Sequence, residues 1–386
     1  PPKGVSGTEE GGAIRKRWMQ ALAALVVLLL AALSVWLVVA SAGGAIRVRG
    51  PGTRPQIGFA CCEHGMPEAQ SLLGDAAVVA DLRVLGASVA IPIQDLSPER
   101  AALVRRLNQE AIPVVAWIVL PPQQGYYLTA DNEPEAAARV AAFEQWTREQ
   151  GLHWVAVGLD IEPNFGELAR LRTHRLKRFE TLLARAVNGG RIERAQASYE
   201  ELIRQIRAHG WPVQIYQMPF IPAERSVHST LLDRLLGTVD ARGDEDYLMI
   251  YTSFARPVDG AMIWKLGKGA WGIVVGVTDG PGPAGVGQGP LDWDEFSRDL
   301  IVASHFTRHI GVYDLEGCVQ QGMLPRLLAM DWARTVTIPA ASLQRAQWIG
   351  LGSRSVLWVL TNLGYLLGLV VLALVALTLW RRRRKE

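Results

Sequence analysis

Residues 157–163 read VGLDIEP, an apolar segment typical of a buried strand that ends in two carboxylates. The fold prediction starts from this segment. Alternate residues of a strand face the same side, so Asp160 and Glu162 are expected to point the same way. Two such carboxylates are costly unless they are solvated, paired or used. Close like charges raise one carboxyl pKa, which keeps a proton for general acid catalysis. A structural role is the alternative, in which both acids cap a helix or pair with arginine.

Seven further segments of this kind, rich in Val, Ile and aromatic residues, accompany this one. The eight segments are residues 56–62, 87–94, 113–121, 154–162, 213–220, 247–254, 271–279 and 309–318. Such continuous apolar runs suit parallel strands, and helix-like stretches separate them. We therefore predict an α/β fold, a (β/α)8 TIM barrel over residues 56–333. The alternative, an open doubly wound sheet, would need a Gly-rich turn where residues 61–65 read CCEHG.

Polar and aromatic side chains at the ends of the predicted strands are the candidates for a functional site. In barrels of this type the site lies at the carboxyl ends of the strands. Besides Asp160 and Glu162, the candidates are Glu63, His64, Trp117, Gln217, Tyr251, Asp314 and Glu316. No CxxC motif or Cys/His cluster indicates zinc, so neither a metal nor a cofactor is expected.

Two of these strand ends resemble motifs of glycoside hydrolase family 18, the chitinase-type barrels. The fourth predicted strand, with Gly158-x-Asp160-x-Glu162, resembles the end of the family's DxxDxDxE motif. The sixth, with MIYT at residues 249–252, resembles its MxYD motif. The chain departs from the family at Gly158 and Thr252, where the family has Asp, and no tryptophan ends the eighth predicted strand. The D-x-E pattern is also similar to that of the family 25 lysozymes, the second choice.

The family 18 resemblance implies a role for each matched residue. Glu162 would be the general acid/base, Asp160 would orient the substrate acetamido group and stabilise the cyclic intermediate, and Tyr251 would hydrogen-bond that group. In this substrate-assisted scheme the sugar supplies the nucleophile. An ordinary glycosidase would need a second carboxylate, for which the candidates are Glu316, Asp314 and Glu63.

Two uncharged apolar runs flank the predicted barrel. Each exceeds the roughly 20 residues needed to cross a bilayer, so we predict transmembrane helices over residues 18–42 and 356–380. Basic clusters at residues 15–17 and 381–385 place both termini in the cytoplasm and the barrel outside it. The alternative for the first run is a cleaved signal peptide, although such signals have only about 7–15 apolar residues.

The prediction divides the chain into seven segments. These are a cytoplasmic tail (1–17), a transmembrane helix (18–42), a linker (43–55), the barrel (56–333), a second linker (334–355), a second transmembrane helix (356–380) and a cytoplasmic basic tail (381–386). Gly364 and Gly368 form a GxxxG pattern. Because this pattern occurs where transmembrane helices pack, a homodimer or a membrane-protein partner is one hypothesis. The two predicted transmembrane helices are also expected to contact the lipid bilayer.

The charge distribution limits the partners of residues 18–380, and the cysteines allow one disulfide. The 386 residues have a formal net charge of +3, but residues 1–17 and 381–386 hold nine basic and three acidic residues, which leaves −3 for the rest. A nucleic-acid partner is therefore not expected.

Cys61 or Cys62 is predicted to bridge Cys318, because the first and eighth strands of a closed barrel are neighbours. Three free thiols are the alternative.

Two functions fit these patterns. The first is a membrane-anchored glycoside hydrolase that acts on an envelope or extracellular polysaccharide, with N-acetyl sugars as one possibility. The second is a catalytically inactive barrel that binds glycan or acts as a scaffold in a membrane complex, which the two missing family Asp residues favour. A third, weaker hypothesis is another barrel chemistry with a metal at the carboxylates.

Overall fold

The computed structural model describes residues 43–164, 175–280 and 289–383, and eight of its strands form a closed parallel barrel. The strands are β1 (Ile46–Arg49), β2 (Gln56–Ala60), β3 (Ser88–Pro92), β4 (Val114–Ile118), β5 (Ala156–Asp160), β6 (Val213–Gln217), β7 (Glu245–Met249), β8 (Gly272–Gly276), β9 (His309–Tyr313) and β10 (Thr335–Ile338). Strands β2 to β9 lie in chain order around the barrel, and β2 pairs with β9 to close it. The predicted (β/α)8 barrel is confirmed.

Helices connect successive strands of the barrel and continue the chain after its last strand, β9. In the described residues they are α1 (Met66–Gly74), α2 (Ala76–Leu85), α3 (Pro98–Gln109), α4 (Glu133–Gln150), α5 (Arg175–Val187), α6 (Gly189–Ala208), α7 (Ile221–Ser226), α8 (Leu231–Leu236), α9 (Ala261–Leu266), α10 (Trp293–Ser304), α11 (Leu315–Gln320), α12 (Met323–Leu328), α13 (Ala340–Thr361) and α14 (Leu363–Arg383). Capping side chains determine where several of these helices begin. Ser97 caps α3 by accepting from Arg100 N at 3.2 Å, and Asp292 and Glu295 form a capping box on α10.

The strands are apolar throughout because both of their faces are covered. Every residue of β4, β5 and β8 is buried. The outward faces pack on the helices, and the inward faces fill the barrel with aromatic side chains set against small ones. The inward-facing cluster comprises Ala90, Val115, Trp117, Val119 and Ala156, with Ala60, Tyr126, Tyr127, Tyr216 and Tyr313 packed against it. The barrel is therefore filled by side chains, and the polar groups above this layer line its mouth.

A small sheet outside the barrel lies in the two segments predicted as linkers. Strand β1 pairs antiparallel with β10, from Ile46 opposite Ile338 to Arg49 opposite Thr335. Val48 and Ile338 are buried against the core. The pairing joins the start of the described chain to the segment that follows the barrel. Strands of only four residues, IRVR and TVTI, give too weak a sequence signal to predict.

The structure does not support the second predicted transmembrane helix, residues 356–380. Helix α13 ends at Thr361 and α14 begins at Leu363, with Asn362 between them as the C-cap of α13. Leu357 is buried with residues of α7 and α8, and Thr361 Oγ1 donates to Ser229 Oγ at 2.9 Å. Of the helices in the described ranges, none combines the length and apolar character that a bilayer crossing requires. The first predicted transmembrane helix, residues 18–42, lies outside the described residues.

Candidate active site at the barrel mouth

Two carboxylates end the fourth barrel strand and are buried. Asp160 is the last residue of β5 and Glu162 follows it by two, with side chains 4% and 6% exposed. The loop after β4 extends the pairing beyond the strand, because Leu128 N donates to Asp160 O at 3.1 Å and Glu162 N donates to Leu128 O at 3.0 Å. These two backbone bonds hold Glu162 in extended backbone beyond β5, so its side chain lies on the same side as that of Asp160. In the described residues, neither acid forms an ion pair with arginine or lysine or caps a helix.

A third carboxylate reaches the same place from the first barrel strand. Glu63 lies three residues beyond the end of β2. Its Oε2 accepts a hydrogen bond from the hydroxyl of Tyr313, at the end of β9, and its Oε1 accepts from the hydroxyl of Tyr127 at 3.4 Å. Its backbone oxygen accepts from the side-chain amide of Gln94. Glu63 is therefore held by groups from three other parts of the barrel.

Burial and mutual repulsion shift the pKa values of the two acids on β5. Burial, with the charges of Glu162 and Glu63, raises the pKa of Asp160 well above its usual range. Burial and the charge of Glu63 raise the pKa of Glu162 to about 8, and its interaction with Asp160 lowers it in part. The two carboxyls are coupled, so they titrate as a pair. Near neutral pH the pair retains a proton, which is what a general acid requires.

The tyrosines around these carboxylates remain hydrogen-bond donors. Burial and the nearby carboxylates raise the pKa values of Tyr127, Tyr251 and Tyr313 above that of a free phenol. The ring of Tyr251 lies 5.8 Å from that of Tyr313, between centroids. Tyr251 therefore lies in the same group of side chains as the three acids. Tyr313 was not a sequence candidate, although it is the aromatic residue that ends the eighth barrel strand.

Two buried polar atoms at this mouth have no hydrogen-bond partner in the described residues. They are Asp160 Oδ1 and the indole Nε1 of Trp117, whose side chain packs inside the barrel and is 4% exposed. Buried polar atoms are rarely left unpaired, and those that are often belong to functional sites. Trp117 nevertheless lies near enough to Asp160 to lower the pKa of that acid in part, so the indole N–H and the carboxyl meet beside Glu162 without a close hydrogen bond.

The other predicted site residues lie outside this group. Gln217 follows Tyr216, which faces the barrel interior, so Gln217 faces outward, and its Nε2 donates to Ala241 O at 3.1 Å. Asp314 caps α11 by accepting from Gly317 N at 2.9 Å.

His64 and Glu316 line a small cavity beside Glu63. His64 is exposed, and its backbone N–H donates to Glu68 at 3.0 Å. Glu316 is 5% exposed, and one of its oxygens accepts from the backbone N–H of Cys62. Burial and the neighbouring Asp314 raise the pKa of Glu316 to about 8. Glu316 is thus held at the edge of the mouth and not among the three acids.

The predicted bridge to Cys318 is wrong. Cys61 and Cys62 form a disulfide with each other, and Cys318 is a buried free thiol. The backbone of Cys62 is left-handed, with φ 72°, which turns adjacent side chains toward one side. Cys318 instead lies 3.8 Å from the hydroxyl of Thr278, measured from Sγ to Oγ1.

Peptide mapping of the unreduced protein should therefore find Cys61 and Cys62 in one linear peptide that is lighter by two hydrogen atoms. Cys318 should be alkylated only after unfolding, because it is fully buried. Because Cys61 and Cys62 are paired and Cys318 is free, we expect one titratable thiol per denatured, unreduced chain. A peptide that joins Cys318 to either of the other two would contradict this assignment.

The interior packing explains one departure from the family motif. A Cβ atom at Gly158 would lie 2.8 Å from Cε2 of Tyr216, so the tyrosine ring fills the space that the family's Asp would need. The other departure, Thr252, is buried and donates to Asp299 on α10, away from the mouth. The interior of this barrel is therefore packed differently from the motif that it resembles.

Restoring the family residue with Gly158→Asp should destabilise the protein by at least about 1–3 kcal/mol, because it overpacks the interior and buries a charge. Urea unfolding followed by circular dichroism measures the change. The double variant Gly158→Asp/Tyr216→Ala should recover part of the loss, since it removes the ring. Wild-type stability in Gly158→Asp would show that the ring does not block this position.

Comparisons with known proteins give likeness in fold only. No known protein family matches the chain, and neither does any curated protein. One similar structure is the PgaB (BpsB) glycoside hydrolase domain of Bordetella bronchiseptica, at TM-score 0.44 and 12% identity, covering 72% of this chain and 98% of that one. A family 2 AP endonuclease of Brucella melitensis (TM-score 0.39, 12% identity, 70% and 98% covered) and an L-ribulose 3-epimerase (0.38, 14%, 81% and 98%) are also similar. These values support no inference about activity.

Proposed function

We propose that this barrel is a glycoside hydrolase-like enzyme that acts on a polysaccharide, with Glu162 as the general acid/base. The observation that carries the proposal is the group of Glu63, Asp160 and Glu162, which the ends of β2 and β5 bring to one mouth. Glycosidic bonds are cleaved by pairs of carboxyl groups, of which one must be protonated when the substrate binds. The raised pKa values of the coupled Asp160–Glu162 pair keep a proton there near neutral pH, and the proposal assigns that proton to Glu162 when the substrate binds.

The mechanism divides the work between the acids. Glu162 gives its proton to the leaving oxygen and later takes one from water. When the proton of the coupled pair is on Glu162, Asp160 is the ionised member, and it stabilises positive charge that develops at the sugar or at its acetamido group. Tyr251 donates to a substrate oxygen. The aromatic rings at the mouth, including Tyr126 and Tyr127 at 5.0 Å between centroids, offer faces on which a sugar can stack.

A conventional two-carboxylate scheme has a better candidate in Glu63 than in Glu316 or Asp314. The charge of Glu63 acts directly on the pKa values of both Asp160 and Glu162. Asp314 is occupied as a helix cap, and Glu316 is bonded to the backbone of Cys62. Glu63 is therefore the acid expected to face the opposite side of the scissile bond.

A catalytically inactive glycan-binding barrel is the second candidate function. Gly158 and Thr252 favour it, because the positions at which the family carries Asp hold no carboxylate here. The hydrogen-bonding group of Asp160, Trp117 and Tyr251 would then serve recognition alone.

The deciding experiment is turnover on a panel of chitin oligomers, peptidoglycan and other polysaccharides, followed by release of reducing ends. The enzyme proposal expects hydrolysis of at least one glycan by the wild type. Saturable binding by calorimetry with no hydrolysis of any glycan that binds would support the binding barrel and reject the enzyme.

The pH profile of hydrolysis should fall on its alkaline side at about pH 8. Only protonated Glu162 can act as the acid, so kcat/KM is highest below its pKa and drops about tenfold per pH unit above it. Initial rates between pH 5 and 10 measure this, with circular dichroism to show that the fold persists. An alkaline limb near pH 5 would mean that the acid has an ordinary carboxyl pKa.

A further inference from the structure

We propose that reduction of the Cys61–Cys62 disulfide creates a zinc site made of these two thiolates and Glu316. The site lies at the edge of the barrel mouth and takes no ligand from Glu63, Asp160 or Glu162. It is independent of the proposed hydrolase function.

The ligand atoms are already close to one another. The two Sγ atoms and a carboxylate oxygen of Glu316 lie within 4.8 Å of one another. Adjacent residues in an ordinary strand point to opposite sides, but the left-handed backbone of Cys62 brings both sulfurs to one side. Both cysteines are 1% exposed, so the ligands are shielded from bulk solvent.

Glu316 has a free oxygen at this cluster. Its Oε1 accepts from Cys62 N, which fixes the carboxylate, while its Oε2 is buried with no hydrogen-bond partner in the described residues. A buried carboxylate oxygen without a partner is costly, and a cation would satisfy it. Hydrogen-bonded carboxylates of this kind are typical of oriented metal ligands.

A cavity adjoins the three ligands. It has a volume of about 30 Å³ and is lined by Cys61, Cys62 and Glu316, together with Glu63, His64, Tyr313 and Asp314. A volume of roughly 10–15 Å³ is enough for one water molecule, so an ion with one bound water fits. Three protein ligands and a water make the four-coordinate set that zinc prefers.

The disulfide controls this site because a metal binds thiolates, not disulfide sulfur. A dithiol or phosphine reductant supplies two electrons, the S–S bond breaks, and each sulfur takes up one proton. Zinc then displaces the two thiol protons as it binds. Tetrahedral coordination at about 2.3 Å per Zn–S bond separates the sulfurs to roughly 3.8 Å, which the adjoining cavity can accommodate. Two sulfur ligands favour zinc over calcium or magnesium.

The test is a zinc titration of the full chain in its oxidised form and after treatment with a phosphine reductant that is then removed without air. Zn²⁺ bound in competition with a chromogenic chelator is counted per chain. The proposal expects one equivalent in the reduced protein and none in the oxidised protein. Co²⁺ in place of Zn²⁺ should give the near-ultraviolet charge-transfer absorption of thiolate ligation, and circular dichroism shows that the reduced chain stays folded.

Variants locate the ion. Cys61→Ser or Cys62→Ser should abolish binding, and Glu316→Gln should weaken it by about 10–100-fold with the thiolate absorption retained at high Co²⁺. The matched control is Cys318→Ser, which removes the remaining cysteine and should bind as the reduced wild type does. Equal binding by the oxidised protein, no binding by a folded reduced protein, or loss of binding in Cys318→Ser would each overturn the proposal.

Discussion

Replacing Glu162 with glutamine should lower glycan hydrolysis by about 10²–10⁴-fold, the usual contribution of a general acid/base. Glutamine keeps the shape and the hydrogen-bonding reach of the side chain but has no proton to give to the leaving oxygen. The loss should appear in kcat and kcat/KM alike, because the missing interaction exists only in the transition state. Glycan binding, measured by calorimetry, should remain close to that of the wild type.

The matched control is Glu149→Gln, the same chemical change on the exposed face of α4. It should retain the wild-type rate. Thermal unfolding of both variants separates a catalytic effect from a loss of fold, and Glu162→Gln should not be destabilised, because it replaces a buried acid with a neutral side chain of similar volume. If Glu162→Gln hydrolyses glycan at nearly the full rate, another group is the acid.

The barrel could be predicted from sequence because its strands have an unusually clear pattern. Parallel strands covered on both faces consist of continuous apolar residues, and eight such runs in about 260 residues leave few other topologies. The Asp160–Glu162 pair was equally clear, since its members are two residues apart on one strand. Both predictions used only local sequence.

The rest of the site depends on contacts between distant segments. Glu63 meets Tyr313 only because β2 closes the barrel against β9, a pairing across 250 residues. Gln217 was predicted to face the mouth, but a strand with two buried faces does not indicate in its sequence which of them faces inward. The Cys61–Cys62 disulfide depends on the left-handed backbone of Cys62, which no composition rule indicates for a cysteine.

Glu63→Gln should separate the two hydrolytic mechanisms. In a conventional carboxylate pair Glu63 is the nucleophile or the base, so its loss should lower kcat by about 10²-fold or more. In substrate assistance the sugar supplies the nucleophile, and the rate below pH 7 should change only a few-fold. In both cases the alkaline limb of the pH profile should move to lower pH, because the charge that raises the pKa of Glu162 has been removed.

Glu316→Gln is the control for this variant, since Glu316 is also buried near the mouth but is bonded to Cys62 and not coupled to Glu162. It should leave both the rate and the alkaline limb unchanged. In Glu63→Gln the amide oxygen can accept from one of the hydroxyls of Tyr127 and Tyr313, and the amide NH2 can donate to the hydroxyl oxygen of the other, so the local structure should persist. The limb is the decisive readout, because it reports the charge of Glu63 whichever group attacks the sugar. If the alkaline limb of the pH profile does not shift in Glu63→Gln, the charge of Glu63 does not raise the pKa of Glu162. Glu63 would then not be the partner of Glu162 in either mechanism.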